Sequence, residues 1–345
     1  MRCAVIGCGS IGQRHLRNLK ALGVSELLAY DLDAGSLERV RQTLGVRVAR
    51  SLDEVLATRP GAVLVCTPTH QHLPIALAAV RAGAHVFVEK PLAVSLEGID
   101  MLQAAATSAG RQVLVGCNMR FHPGVAHLKR VLEEGRVRHP VLFRAYFSHS
   151  LRNWRPDQDY RRSYSASRLQ GGGVILDGVH ELDYLRWLAG EMRVIEAVGG
   201  HLSDLEIETE DVALIALQFE SGALGQVHLD YVSPWKLRGC EIVGAEGIVR
   251  WSSSGKQPET VRVDAYDAAG GGWETLYACE AYDANEMYLE ELQHVLLCAE
   301  GSARPLASLE DGRRVLELAL AAQTAVERRG WHREERRLLS EKAVP

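Results

Sequence analysis

Met1-Arg2-Cys3-Ala4-Val5-Ile6-Gly7-Cys8-Gly9-Ser10-Ile11-Gly12 opens the chain, and its reading decides the fold. Residues 2–6 read as a buried strand running directly into G-x-G-x-x-G, with a helix expected over 10–22. Each glycine has a mechanical task. Gly7 permits the tight turn, Gly9 lets a pyrophosphate approach the backbone, and Gly12 lets the helix pack closely on the strand. The helix start, at Ser10 and Ile11, supplies free N–H groups and a positive dipole end for phosphate oxygens. Asp31 adds a second signal. It ends the next strand (26–30), about twenty residues beyond Gly12, where an acid binds ribose hydroxyls. Its carboxylate would repel a 2′-phosphate, so NAD is expected rather than NADP.

Working outward, strands at 46–49, 62–66, 85–89 and 112–116 alternate with helices at 35–44, 52–57, 72–82 and 95–109. Strands apolar along their whole length, alternating with helices, predict an α/β doubly wound parallel sheet. The texture changes after about residue 122. A helix (124–134) and a long strand (141–149) precede a polar, Arg-rich loop (150–170). Gly171-Gly172-Gly173 then opens a helix running to about Ala189. Strand-like runs crowd together at 194–202, 211–219, 223–232, 238–243, 247–251 and 260–266. Tight Ser221-Gly222 and Glu246-Gly247 turns make this second sheet largely antiparallel. Helices at 283–299 and 309–328 follow. The expected division is a nucleotide-binding Rossmann domain (1–122), an α+β substrate and oligomerisation domain with an open-faced mixed sheet (123–330), and a charged tail (331–345).

The chain of 345 residues is 47% hydrophobic and 24% charged, with a net charge of -5. No basic stripe points to nucleic acid, and no run approaches the ~18 apolar residues of a membrane span. The first apolar run is too short for a signal peptide and glycines interrupt it. Seven scattered cysteines without a C-x-x-C pair read as reduced thiols of a cytoplasmic protein. No metal is expected, because His180-Glu181-Leu182-Asp183-Tyr184 lacks the second histidine of H-E-x-x-H.

Three further segments fit one family. They are Cys66-Thr67-Pro68-Thr69-His70-Gln71-His72, Glu89-Lys90-Pro91, and Gly171 to Asp183 followed by Trp187-Leu188. With the glycine loop, they resemble the glucose–fructose oxidoreductase / inositol dehydrogenase (Gfo/Idh/MocA) family over residues 1 to about 330. The resemblance implies that Lys90 and His180 work at the substrate carbon facing the nicotinamide. It implies that Thr67, Pro68, His72, Glu89 and Lys90 line the cofactor. Gly116, Asn118, Arg120 and Phe121 resemble the family's hinge segment, with Asn118 on the cofactor side and Arg120 on the substrate side. There is one departure. Many members place an acid four residues before the catalytic histidine, whereas Asp177 lies three before His180.

The residues also argue the chemistry. Oxidising an alcohol removes a hydride, which the cofactor takes, and a proton, which the protein must take. A histidine near neutrality suits that task, so His180 is the candidate base. Lys90, at a strand's C-terminal end, would favour a developing alkoxide. Asp177 orients His180 or binds a substrate hydroxyl. Asp183 either binds substrate or pairs with Arg186. Within the Arg-rich loop, Trp154, Arg155, Tyr160 and Arg161 are candidates for a carbohydrate-like substrate. The arginines suit an anionic group, and the aromatic residues a sugar face. Together these readings predict hydride transfer between nicotinamide and a hydroxyl or keto carbon of a sugar, polyol, sugar acid or nucleotide sugar. The alternatives are a lyase or hydrolase using NAD transiently, or a non-catalytic NAD-binding regulator. Self-association as a homodimer or homotetramer is expected through the uncovered sheet face.

Overall fold

The computed structural model describes residues 1–154 and 158–329. Its described residues divide into two compact units: Met1–Phe121 with Asn285–Leu316, and His122–Ala284 with residues 317–329. Residues 285–316, read from sequence with the second domain, therefore group with the first. The helix Asn285–Ala299 buries Leu292, Val295 and Cys298 in the same core as Cys3, Leu16 and Leu19.

The first unit is a six-stranded parallel sheet. Its strands are β1 (Cys3–Ile6), β2 (Leu27–Tyr30), β3 (Arg47–Val48), β4 (Ala62–Val65), β5 (His85–Val88) and β6 (Val113–Val115). The spatial order is β3-β2-β1-β4-β5-β6, which reverses direction between β1 and β4 and opens a crevice at the strand ends there. The helices are α1 (Ser10–Ala21), α2 (Ala34–Leu44), α3 (Leu52–Ala57), α4 (His72–Arg81) and α5 (Ile99–Ala109). β1 and β4 are buried at every position, as strands covered on both faces must be.

The second unit carries an eight-stranded sheet. Its strands are β7 (Pro140–Ser148), β8 (Met192–Gly200), β9 (Val212–Phe219), β10 (Leu224–Asp230), β11 (Leu237–Gly244), β12 (Gly247–Ser254), β13 (Glu259–Asp267) and β14 (Gly272–Tyr282). The order is β14-β13-β12-β11-β7-β10-β9-β8. Only the β7–β10 pair is parallel, so the sheet is mixed and largely antiparallel, as expected. The helices are α6 (Pro123–Glu133), α7 (Leu151–Trp154), α8 (Val174–Asp177) and α9 (Val179–Ala189). Alternating burial along β9 and β10 gives the sheet one packed face and one open face.

Two differences from the sequence reading have physical causes. β14 carried no strand signal, because it is a sheet edge with mostly exposed side chains and little apolar alternation. The single helix expected up to Ala189 is two, divided at Gly178. A Cβ there would lie 2.6 Å from Leu229 of β10, so the backbone approaches the sheet where a side chain would not fit.

Candidate cofactor and active-site residues

The glycine loop shows why each glycine is there. Gly7 has φ +95°, and a Cβ on it would meet the Cys66 carbonyl oxygen at 2.5 Å. A Cβ on Gly12 would lie 1.9 Å from the Gly7 oxygen. The chain's own packing therefore demands both. Gly9 differs: a Cβ there would meet nothing within 4 Å. Open space at that position leaves the backbone accessible to a ligand. No side chain caps α1 at Gly9, so the N–H groups of Ser10 and Ile11 remain for an anion. These residues fit a dinucleotide pyrophosphate.

Asp31 is fastened to this loop. Its Oδ2 accepts from the Cys8 N–H at 2.6 Å, and its Oδ1 accepts from the Asp33 N–H at 2.8 Å. Burial, reinforced by the Asp31 charge, pushes the Cys8 thiol up to about 12, so it stays protonated. An Asp31→Ala variant should weaken NAD about 10–100-fold, the worth of one or two charge-assisted hydrogen bonds. It should also narrow the preference over NADP. Calorimetric titration with both dinucleotides measures each, and unchanged affinities would remove Asp31 from the ribose site.

The strand-end loops bring Thr67, Pro68, Glu89, Lys90 and Asn118 into the same unit. Thr67 Oγ1 and Asn118 Oδ1 are buried without a hydrogen-bond partner, polar atoms that a bound ligand would satisfy. Pro68 leads into the short turn Thr69–Gln71. Lys90 follows β5 and is half-buried. Its own N–H donates to Glu89 Oε2 at 3.2 Å, while Glu89 Oε1 lies 2.7 Å from His15 Nε2. Burial pushes the Glu89 carboxyl up, but the His15 bond and the neighbouring positive groups outweigh it and hold the pKa below the ordinary value.

His72, implied by resemblance to line the cofactor, is 1% exposed. Both its ring nitrogens lie 2.9 Å from backbone carbonyls, those of Pro91 and Thr67. Arg120 is 3% exposed, donates to the Leu306 carbonyl and lies 3.4 Å from Asp311. Its guanidinium is engaged within the first unit.

The second unit holds Asp177, His180 and Asp183, all buried. Asp177 accepts three hydroxyl hydrogen bonds, from Tyr164 at 2.6 Å, Ser165 at 2.6 Å and Tyr231 at 2.5 Å. Burial, helped by the Asp177 charge, lifts the Tyr231 phenol well above its usual value, so it donates at all ordinary pH. The break at Gly178 puts Asp177 at the end of α8 and His180 in the first turn of α9, not on one continuous helix face. Arg186 forks onto Glu191, at 3.0 and 2.5 Å.

Glu210 escaped the sequence reading, where it sits in an acidic run that looks solvated. Only the fold buries it. Its Oε1 accepts from the Ile175 N–H at 3.2 Å and occupies the space beside Gly173, where a Cβ would lie 2.3 Å away. Burial raises its pKa to about 7 against opposing hydrogen bonds. A carboxyl that is protonated in the fold but ionises from 4.5 when unfolded stabilises fully below 4.5 and loses that contribution as pH rises to about 7. Glu210→Gln should therefore flatten the fall of Tm between about pH 5 and 7.5, with a gain of up to about 3 kcal/mol at pH 8. Calorimetric scans across pH check this, and parallel curves would contradict it.

Three arginines of the loop pair with carboxylates of their own unit. Arg152 lies 3.0 Å from Asp204 and faces the Tyr160 ring at 5.9 Å. Arg161 grips Asp159 at 2.8 and 2.9 Å, with Glu206 at 3.6 Å. Arg168 meets Glu327 at 2.7 Å. Trp154 packs edge-on against Phe147 and Tyr231. With Leu151, Gln158, Tyr160, Ser163 and Ser165, it lines a small cavity. Arg155, another sequence candidate, lies outside the described residues.

Known proteins resemble the chain over most of its length. Residues 1–117 match the oxidoreductase family with an NAD-binding Rossmann fold, and residues 125–250 match the GFO/IDH/MocA C-terminal domain. The chain is 31% identical to a myo-inositol 2-dehydrogenase of Thermotoga maritima, covering 95% of this chain and 96% of that one. It is 28% identical to an NAD+-dependent scyllo-inositol 2-dehydrogenase of Bacillus subtilis, covering 93% of each. The structure of GenD2 from gentamicin A biosynthesis, in complex with NAD, superposes with a TM-score of 0.78 at 25% identity, over 95% of this chain and 94% of that one. The chain belongs to the GFO/IDH/MocA family of oxidoreductases, whose N-terminal domain is an NAD-binding Rossmann fold.

Proposed function

We propose that this protein is an NAD-dependent dehydrogenase or reductase acting on a CH–OH carbon of a cyclic polyol or sugar. The observation carrying the reading is Gly9, a bare backbone position that no packing within the chain requires, beside an Asp31 carboxylate fastened to the same loop. Bound NAD supplies the hydride acceptor or donor. Lys90 holds positive charge against the substrate oxygen and favours the developing alkoxide. His180 takes the hydroxyl proton, or returns it in the reverse direction. Asp183 holds a substrate hydroxyl. Asp177 has the role of ordering the Tyr164–Ser165 segment through its three hydroxyl donors.

Arg152, Arg161 and Arg168 of the loop are already ion-paired, which favours a neutral substrate. Exposed pairs are worth only about 0–1 kcal/mol, so an anionic group of a sugar acid or nucleotide sugar could exchange into them. The relatives named for inositol support the neutral class. The test is absorbance at the NADH band over a panel of inositols, sugars, sugar acids and nucleotide sugars. Signal with one class names the substrate. Bound NAD with no signal anywhere would shift the assignment to transient redox chemistry or to a non-catalytic NAD-binding protein.

The open sheet face carries Leu214 and Leu224, 41% and 48% exposed, and the cross-strand Arg144–Glu241 pair. Self-association through this face as a homodimer or homotetramer is part of the proposal, and light scattering measures it. Seven cysteines outside any disulfide, six of them buried, suit a reducing compartment, and the cytoplasm is the proposed location.

A further inference from the structure

The loop that presents Lys90 is held from both sides by residues of the first unit. On one side, the Lys90 N–H donates to Glu89 Oε2 at 3.2 Å, and Glu89 is held by His15 of α1 at 2.7 Å. On the other, the Pro91 carbonyl lies 2.9 Å from His72 Nδ1, while His72 Nε2 lies 2.9 Å from the Thr67 carbonyl. Carbonyl oxygens only accept. The imidazole therefore donates to one of them as the neutral ring and to both as the cation. His72 is the first residue of α4 and is 1% exposed. Burial pulls its pKa below the ordinary histidine value, against the two carbonyls and Glu89. A buried imidazole costs desolvation that a leucine would not. What it offers in return is a polar ring packed between the loops that follow β4 and β5, bonded to one carbonyl as the neutral form and to both when protonated.

We propose that His72 is a positioning residue for Lys90: its imidazole, seated between the Thr67 and Pro91 carbonyls and donating to one of them as the neutral ring, acts with the His15–Glu89 pair to fix the backbone from which the lysine ammonium is aimed. The proposal rests on the role given to Lys90 above. A nitrogen misplaced by about 1 Å costs on the order of 100-fold in rate while leaving substrate binding largely intact.

The test compares wild type with His72→Leu and His72→Gln. If the leucine variant is insoluble, His72→Asn, polar but too short to span both carbonyls, takes its place. Two readouts are used. The first is kcat and KM with the substrate found by the panel. The second needs no turnover: the rate of Lys90 acetylation by acetic anhydride, relative to Lys20 in the same sample, followed by peptide mass spectrometry. The expected result is a kcat loss of about 10–100-fold for leucine with KM within about threefold, partial recovery with glutamine, and Lys90 labelling altered about threefold or more. Unchanged labelling, or equal losses in the leucine and glutamine variants, overturns the proposal. Silence of the wild type on the panel defeats the dehydrogenase reading instead, and the labelling ratio still decides the role of His72.

Discussion

Lys90→Ala should lower kcat for NAD reduction by about 100- to 1000-fold, the cost of removing one preorganised charge from a developing oxyanion. The lysine sits where β5 ends, beside Glu89 and before Pro91. Truncating it removes a charge that matters mainly once the substrate oxygen becomes negative. The loss should therefore appear in kcat rather than in KM. NAD affinity should change far less, because the proposed pyrophosphate cradle at Gly9 and the Asp31 carboxylate are untouched. Steady-state kinetics with the panel substrate, together with calorimetric NAD titration, separates the two effects. A kcat within threefold of wild type would remove Lys90 from the reaction.

Asp177→Ala should be the most destabilising single change among the site residues, by about 3–5 kcal/mol. Its carboxylate is the common acceptor for Tyr164, Ser165 and Tyr231, and Ser165 and Tyr231 are themselves buried. Alanine leaves these donors without their acceptor in a space closed to water, at about 1–3 kcal/mol for each buried group. For a chain of 345 residues that means a fall in Tm of about 4–7 °C. Asp177→Asn, which keeps one acceptor oxygen, should lose less than half as much. Calorimetry decides. A variant with unchanged Tm but lost activity would return Asp177 to the chemistry and remove it from the role of structural hub.

These expectations rest on residues of different legibility. The Rossmann half was readable because its signals are local. A strand buried on both faces is apolar throughout, and a phosphate turn needs glycine at fixed offsets, so β1, Gly7, Gly9, Gly12 and Asp31 announce themselves within thirty-one residues. The hairpins of the second sheet were readable for the same reason, through Ser221-Gly222 and Glu246-Gly247. β14 was not, because an exposed edge strand has no apolar period to display. His72 was legible as a motif residue but not in its role, since whether an imidazole faces a ligand or two backbone carbonyls depends on loops nineteen and five residues away. The family resemblance puts Arg120 on the substrate side, and chemistry alone makes Arg155 and Arg161 of the loop candidates for an anionic substrate group. Arg120, Arg152, Arg161 and Arg168 have carboxylate partners, some far along the chain, that no spacing rule reveals.

The sequence by itself determined the α/β class, the parallel sheet with its glycine turn, the largely antiparallel second sheet, and the set of groups from which chemistry can be drawn. Each of these follows from short-range pattern: period, glycine offset and turn composition. Only the tertiary structure decided that Gly9 is the glycine its own fold does not need. It alone made Asp177 a three-hydroxyl hub, buried Glu210 beside Gly173 and turned His72 onto backbone carbonyls. Those outcomes depend on what distant segments place within a few ångströms, and on how much water that placement excludes.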